Sequence, residues 1–331
     1  MVVIIGSTTV CYPTTRHDQL YESPRTVEPP ALAVAEPTAV RLSHEEYTVG
    51  WICPLSINME AARAVLDDTH EILPNKPGDR NIYLFGRIGQ QNIVITSLEE
   101  RNYGAVNAAV AATNMHRSFP SICLRMVVGI AGGVPQSEDI RLGDVVVGTE
   151  VVEHGLVRKT LSHLIYERTI VHKAPAVFRE AIFRFEADRL PSVSNMLATL
   201  ADVGSRNSAM ANAAKDRLFD SEYGHITGMS DCNACGEEWE IDRARRATGF
   251  PRIHYGLIAS GTQVIKHGET RDKTAELLGG VLCFEVETAG VMDLFPCLAV
   301  RGISNYADSH KNGLWEGYAS AAAAAYAKEL L

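Results

Sequence analysis

From Tyr47 to the last residue, short β-branched and aromatic runs alternate with helix-forming stretches, and few architectures accept that order. The run YTVGWICPL opens the series and ends in a turn, after which INMEAARAVLDD (Ile57 to Asp68) carries apolar residues at helical spacing. Further strands are predicted at Asn81–Ile88, Gln91–Ser97, Arg125–Ile130, Asp144–Val152, His254–Ser260, Val281–Phe284 and Cys297–Ser304. Helices are predicted at Gly104–Ser118, Pro175–Ala187, Val193–Ala201, Thr270–Leu278, Thr288–Phe295 and Glu316–Leu331. Strands separated by helices of this length make an α/β sheet covered on both faces.

The alternation also sets the boundaries. Residues 12–45 hold five prolines and no sustained periodicity, so residues 1–45 read as an irregular extension and residues 46–331 as the folded domain. Within the domain, residues 188–250 are polar and read as an inserted helix and loop. No internal repeat is present. The last helix runs to Leu331 without a cap, as expected of a piece of a longer protein. With 46% hydrophobic residues, 331 residues are ample for a core. A net charge of −9 argues against a nucleic-acid or anionic-membrane surface, since phosphate binding needs clustered Lys and Arg. No apolar run reaches the roughly 18–20 residues that span a bilayer, and the apolar start MVVIIGSTTV lacks the basic leader of a secretory signal. The seven cysteines are scattered, several in apolar runs (Cys53, Cys123, Cys283, Cys297), which suits reduced thiols in the cytoplasm.

Three segments carry chemistry. In VVGIAGGVP (Val127–Pro135) a strand runs into a glycine-rich turn where a ligand can approach the backbone, although a tight strand-to-loop turn explains the same residues. In FEVETAGVM (Phe284–Met292) two carboxylates one residue apart close a strand just before a helix. Buried acids need partners, and a sugar diol suits a carboxylate because it offers two hydroxyl donors; an acid favoured by the helix dipole is the alternative. In AVRGISNYADSHKN (Ala299–Asn312) a strand ends in Ser304, Asn305 and Asp308, where ligands of α/β sheets bind, unless these side chains simply cap turns.

Together, and in this order, the segments resemble the nucleoside phosphorylase/nucleosidase superfamily, in particular methylthioadenosine/S-adenosylhomocysteine nucleosidases and the related domains of filamentous fungi, which often sit on larger proteins. YTVGWICPL, IHYGLIASGTQV and GGVLCFEVETAGVM add to the likeness, which covers residues 46–331. It implies a three-layer αβα sandwich around a mixed, partly barrel-like sheet. It implies Glu287 on the ribose hydroxyls with Glu285 beside it, Val286 under the sugar, and Ile130, Ala131 and Gly132 at the glycine turn. The Ser260–Ile265 segment, with Thr262 and Val264, would line the base pocket. Val264 falls where the bacterial nucleosidases carry a stacking aromatic, so stacking here is weaker. The reaction implied is cleavage of a purine nucleoside or nucleotide at its N-glycosidic bond. The expected partners are that small molecule and further copies of the chain, with no nucleic acid, no membrane and no cofactor; phosphate is a co-substrate only if cleavage is phosphorolytic.

Two positions depart from the family's pattern. Where the nucleosidases carry the Asp that protonates the leaving purine, this chain has Asn305, which donates a hydrogen bond but cannot deliver a proton. Where they carry the Glu that activates water, counting from Cys53 gives Asn58; a shift of two residues would bring Glu60 there instead, about 200° around a helix. Asn58, Asn305 and Asp308 are therefore the candidate catalytic positions. General acid–base catalysis is commonly worth about 10²–10⁴ in rate. Trimeric purine phosphorylases, distant members of the superfamily, use Asn against a 6-oxopurine, so Asn305 marks either that preference or lost or repurposed catalysis. Repurposed readings are a nucleoside-sensing module and an enzyme acting on a non-nucleoside metabolite. Phosphorolysis needs an anion site: Ile130 occupies a position where relatives have a hydroxyl, and Arg125 and Arg101 are the candidate cations.

A last constellation, His225-x6-Cys232-x2-Cys235, has zinc-like spacing with Asp231 as the obvious fourth ligand. A surface loop with two reduced thiols explains the same residues, and no metal is expected.

Overall fold

The computed structural model describes residues 40–98, 104–136, 138–154, 157–159, 164–166, 170–211, 215–247 and 251–331. The first half holds β1 (Val49–Cys53), α1 (Ser56–Ala64), β2 (Asp68–Thr69), β3 (Tyr83–Ile88), β4 (Gln91–Ser97), α2 (Ala105–Ser118), β5 (Leu124–Gly133) and β6 (Val145–His154). Next come β7 (Val157–Lys159), β8 (Leu164–Tyr166), β9 (Val171–Lys173), α3 (Ala176–Ala187) and α4 (Arg189–Arg206). The chain ends with β10 (Ile253–Gly261), α5 (Gly268–Leu277), β11 (Val281–Glu285), α6 (Thr288–Met292), β12 (Leu298–Asn305) and α7 (Glu316–Leu330). All the strands and helices expected from the hydrophobic pattern are present with shifted ends. The short β2, β7, β8 and β9 were not expected, because two or three residues carry no readable period.

The main sheet runs β11-β10-β6-β12-β5-β1-β4-β3-β2, with β9 paired to β6, and β7 and β8 form a separate hairpin. It is mixed: β12 lies parallel to β5 and antiparallel to β6. Alternation places β1 between two cores. Val49, Trp51 and Cys53 face one side, with Ala61 of α1, Phe178 of α3, Leu200 of α4 and Ala324 of α7, while Ile52 faces the other, with Met115 of α2 and Val291 of α6. Helices therefore cover both faces, giving the three-layer αβα sandwich.

The alanine run of α7 explains how tightly that helix seats. A Cβ on Gly302 of β12 would fall 1.9 Å from the Ala319 carbonyl oxygen, so the helix backbone lies directly on the strand. The far end of β5 also pairs antiparallel with β11 through Gly132 and Gly133. That pairing closes β11, β10, β6, β12 and β5 into a ring. Bare glycines permit it, because a Cβ on Gly133 would meet Ile303 Cγ2 at 2.9 Å.

Two boundaries shift. The domain's contacts begin ahead of Glu46: Val40 bridges to His70, and His44 stacks on Phe119 with ring centroids 5.1 Å apart. Within 188–250, α4 is part of the main core through Met196, Leu200 and Val203, so only the stretch after it behaves as an added loop. Among the described residues, no helix is long and apolar enough to cross a membrane.

Candidate active site

The ring closure sets the ends of β5, β11 and β12 around one cavity of about 350 Å³. Ile130, Ala131 and Gly132 from β5, Glu285, Val286 and Glu287 from β11 and the turn after it, and Asn305 from β12 all line it. Three separate motifs of the sequence thus meet in one place. Val264 stands at the rim, 45% exposed.

The two carboxylates differ. Glu285 accepts hydrogen bonds from the backbone N–H of Glu287 at 3.0 Å and of Thr288 at 3.0 Å, so it holds the turn into α6. It also pairs with Arg301, which is completely buried on β12 and donates to Thr288 Oγ1 at 2.9 Å. Burial opposes its ionisation, but Arg301, Ser260 and the two backbone donors outweigh burial and hold the carboxyl below its usual range. Glu285 is a fixed anion with its lone pairs spent. Glu287 is 3.5 Å from Arg301, is in hydrogen-bonding contact with the Glu285 side chain and the Val286 backbone, and lines the cavity. Burial, reinforced by neighbouring Glu285 and opposed by Arg301, pushes it up to about 7. It is the acid left to meet a ligand.

Asn305 is 7% exposed, and its side chain is held at both ends. Its Oδ1 accepts from Ala307 N–H at 2.9 Å and its Nδ2 donates to Ser304 Oγ at 3.1 Å, leaving one amide N–H uncommitted. Ala307 has φ +51°, the one non-glycine residue in the left-handed region among those described, which turns the chain sharply beneath the cavity. Gly132 makes room for that turn, since a Cβ there would sit 2.8 Å from Asn305 Oδ1 and from Ala307 Cβ.

Three expected positions are elsewhere. Asn58 is buried away from the cavity: its Oδ1 accepts from Leu55 N–H at 3.0 Å, capping α1, and its Nδ2 donates to Ser320 Oγ of α7 at 2.8 Å. A shifted alignment does not bring in Glu60, which is exposed on α1. Asp308 is turned from the cavity toward the loop after β12, accepting from His310 N–H at 2.9 Å with Arg271 3.9 Å away. Thr262 is exposed and outside the lining, although Gln263 beside it is inside. Of the proposed phosphate cations, Arg125 instead donates to the Ile122 carbonyl and lies over the Phe295 ring, and Arg101 lies outside the described residues.

Sequence reasoning missed Arg301, Lys266, Lys311 and Glu316. Lys266, Lys311 and Glu316 line the cavity, and burial draws Lys311 below the usual lysine range, helped by Lys266 and opposed by Glu316 and Glu287. Burial likewise raises Glu316, against the pull of Lys311. Arg301 left a usable signal, because a lone Arg in the apolar strand AVRGIS must answer a buried acid. Lys311 and Glu316 left none; one sits in a polar loop and the other looks like an ordinary first-turn acid.

A closed α/β ring whose strand ends frame a cavity of about 350 Å³, with a buried acid pair sharing one arginine, defines an αβα-sandwich protein with a small-molecule pocket. The chain belongs to the phosphorylase superfamily, whose profile matches residues 48–330. It is 36% identical over 304 residues to a nucleotide-binding leucine-rich repeat (NLR)-like protein of Hyaloscypha variabilis, covering 88% of this chain and 30% of that protein. The chain thus spans about a third of that relative's length. Its fold is similar to that of a 5′-methylthioadenosine/S-adenosylhomocysteine nucleosidase from Neisseria meningitidis in complex with methylthio-immucillin-A, with 18% identity and a TM-score of 0.55 over 86% of this chain and 97% of that one. An aspartate-to-asparagine variant of the Helicobacter pylori nucleosidase, with 5′-methylthioadenosine in its active site, is similar at 16% identity and a TM-score of 0.54 over 86% of this chain and 97% of that one.

Proposed function

We propose that the cavity takes a purine nucleoside or nucleotide, with Glu287 on the ribose hydroxyls and the amide of Asn305 on the base, and that its chemistry is at the N-glycosidic bond. The observation that carries this is the division of labour between the acids. Glu285 is consumed by Arg301 and the turn into α6, while Glu287, poised near 7 and held only by Glu285, the Val286 backbone and a more distant Arg301, lines the cavity as the acid with capacity left for ligand donors. The nucleoside analogue in the Neisseria meningitidis enzyme supports a ligand of that class. Lys266 and Lys311 at the same cavity favour a ligand with anionic character, either a phosphorylated 5′ substituent or a phosphate co-substrate.

A second reading is a nucleoside-sensing module without turnover. One observation favours it: Asn58 is closed off between α1 and α7, and Asn305 offers an N–H where a proton donor would be needed. The Helicobacter pylori variant is a parallel, since it holds 5′-methylthioadenosine with an Asp replaced by Asn. Incubation with a panel of nucleosides and nucleotides, with and without phosphate, separates the readings when free base is followed by chromatography and binding by calorimetry. Base release establishes cleavage, and its dependence on phosphate distinguishes phosphorolysis from hydrolysis. Tight binding without release establishes the sensing module. No binding to any purine compound overturns both.

A further inference from the structure

Outside the cavity, the loop after α4 gathers three metal-ligating side chains. One ligand atom from each of His225, Cys232 and Cys235 lies within 4.8 Å of the other two. Their surroundings are built rather than casual. His225 Nε2 contacts the Asp231 carbonyl at 2.9 Å; donating there, it leaves the lone pair of Nδ1 for a ligand, an arrangement typical of metal-bound imidazoles. Asn312 Nδ2 donates to Cys232 Sγ at 3.7 Å, and Arg217 donates to the carbonyls of both Cys232 and Cys235, setting positive charge beside the sulfurs. Cys235 is buried, 4% exposed.

A second observation comes from the other side. His310, on the loop after β12, is 8% exposed; neither ring nitrogen has a hydrogen-bond partner, and Nδ1 has only the Asp308 carboxylate at 3.7 Å near it. A buried imidazole with neither nitrogen hydrogen-bonded is costly. Its ring centroid is 5.4 Å from that of His225. Two imidazoles on one tetrahedral zinc, with Zn–N near 2.0–2.1 Å, place their centroids roughly 5 Å apart. Asp231, the fourth ligand suggested by spacing, is instead spent on Asn233 N–H at 2.9 Å.

We propose that His225, Cys232 and Cys235 hold a zinc-class divalent cation, with His310 turning its ring to supply the fourth ligand. Thiolate and imidazole donors select zinc over magnesium or calcium, which take oxygen. The ion ties the 215–241 loop to the segment between β12 and α7. The existing ties there include the His225 N–H donating to Ser309 Oγ at 2.9 Å and the His310 ring stacked on Phe219 at 4.2 Å and on Tyr223 at 5.4 Å. Because Lys311 follows His310, the ion would steady one wall of the cavity without touching a ligand in it.

The test is metal analysis of the chain produced with zinc under reducing conditions. Roughly one zinc per chain after extensive dialysis is expected for a four-ligand site, as is a sulfur-to-cobalt charge-transfer band in the near ultraviolet when cobalt replaces zinc. His225→Gln and Cys232→Ser should each lose the metal at least tenfold more readily to a chelator, with circular dichroism reporting that they fold. His310→Ala should weaken retention while keeping the sulfur–cobalt band. Metal-free wild type with no cobalt band overturns the proposal, and so does a Cys232–Cys235 disulfide that persists when zinc is supplied. Retention unchanged in His310→Ala overturns its place as a ligand. Because the wild type is read directly, a variant that fails to fold does not shield the proposal.

Discussion

Glu287 and Glu285 are separated by one residue and share one arginine, yet burial and bonding give them opposite tendencies. For Glu287 the sign is specific: its neutral form is favoured in the fold, so that contribution is present below the usual value of 4.5 and is lost as pH rises through about 7. Glu287→Gln, a mimic of the neutral acid, should therefore stabilise the ligand-free protein relative to wild type above pH 7, and little below pH 5; melting curves at both pH values check this. Ligand hydroxyls donate better to the ionised acid, so nucleoside affinity of the wild type should rise with pH across the same window. Glu287→Ala should lose about 1.5–3 kcal/mol of affinity, the range for hydrogen bonds to a charged group, and unchanged affinity by calorimetry would remove the assigned role. At Asn305, substitution by Asp should raise base release from an adenine nucleoside, by up to roughly 10²–10⁴ if water is still activated. If Asn305 instead reads a 6-oxopurine, the wild type should already cleave inosine or guanosine, and the Asp variant should be slower on them. The places of these residues at the cavity were legible because the acids and Asn305 stand at or just past the ends of two strands. Asn58 was misplaced because position along a helix does not say whether a side chain is already bonded, here by the α1 cap and Ser320.

At the level of elements, the pattern of apolar residues located every long strand and helix, since packing on two faces enforces both periods. Short elements escaped, and so did the ionic joint that fastens β6 to β10. Asp144, just before β6, accepts from Arg246 Nη1 at 2.6 Å and Nη2 at 2.7 Å, from Arg252 N–H at 2.8 Å, and faces His254 Nε2 at 3.0 Å. Burial opposes the charge on Asp144, but His254, Arg246 and the Arg252 backbone hold it below the usual range; burial opposes that on His254, and the same aspartate with Glu138 holds it above. Asp144→Asn leaves Arg246 only the more exposed Asp139 and His254 only the more exposed Glu138 as acid partners, and should cost up to about 3–5 kcal/mol, read as a lower denaturant midpoint at constant slope. A loss under 1 kcal/mol would show the joint to be incidental. The raised His254 gives stability that is present below its usual 6.5 and is lost as pH climbs through the raised value, so wild type should weaken on the alkaline side and His254→Gln should not.

For the whole molecule, the resemblance in the sequence reached further than patterning could, because ring closure depends on the pairing of β11 with β5 across some 150 residues of chain. Nothing local announces such a pairing. The near boundary of the domain was set too late for the opposite reason: prolines and low periodicity hide the docking of single side chains. A chain trimmed to start at Tyr47 loses the Val40–His70 bridge, the His44–Phe119 stack and the His44–Pro74 contact at 3.1 Å. Its melting temperature should fall by about 2 °C or more relative to a chain starting at Val40; equal values would mean that the contacts are decorative.

The ring has one more consequence, for how this domain behaves when many copies are crowded together. Closing five strands on themselves removes the longest exposed hydrogen-bonding edges from the sheet, and among the described residues its open margins are β2, of two residues, and β9, of three. β2 covers β3 only at Gly86 and Arg87, so a short stretch of β3 remains as margin beside it, and Asp68 there is paired to Arg87. When copies of such a domain are brought side by side, few long strand edges are on offer, so contact between them falls mainly to helices and loops, whose contacts can be made and undone.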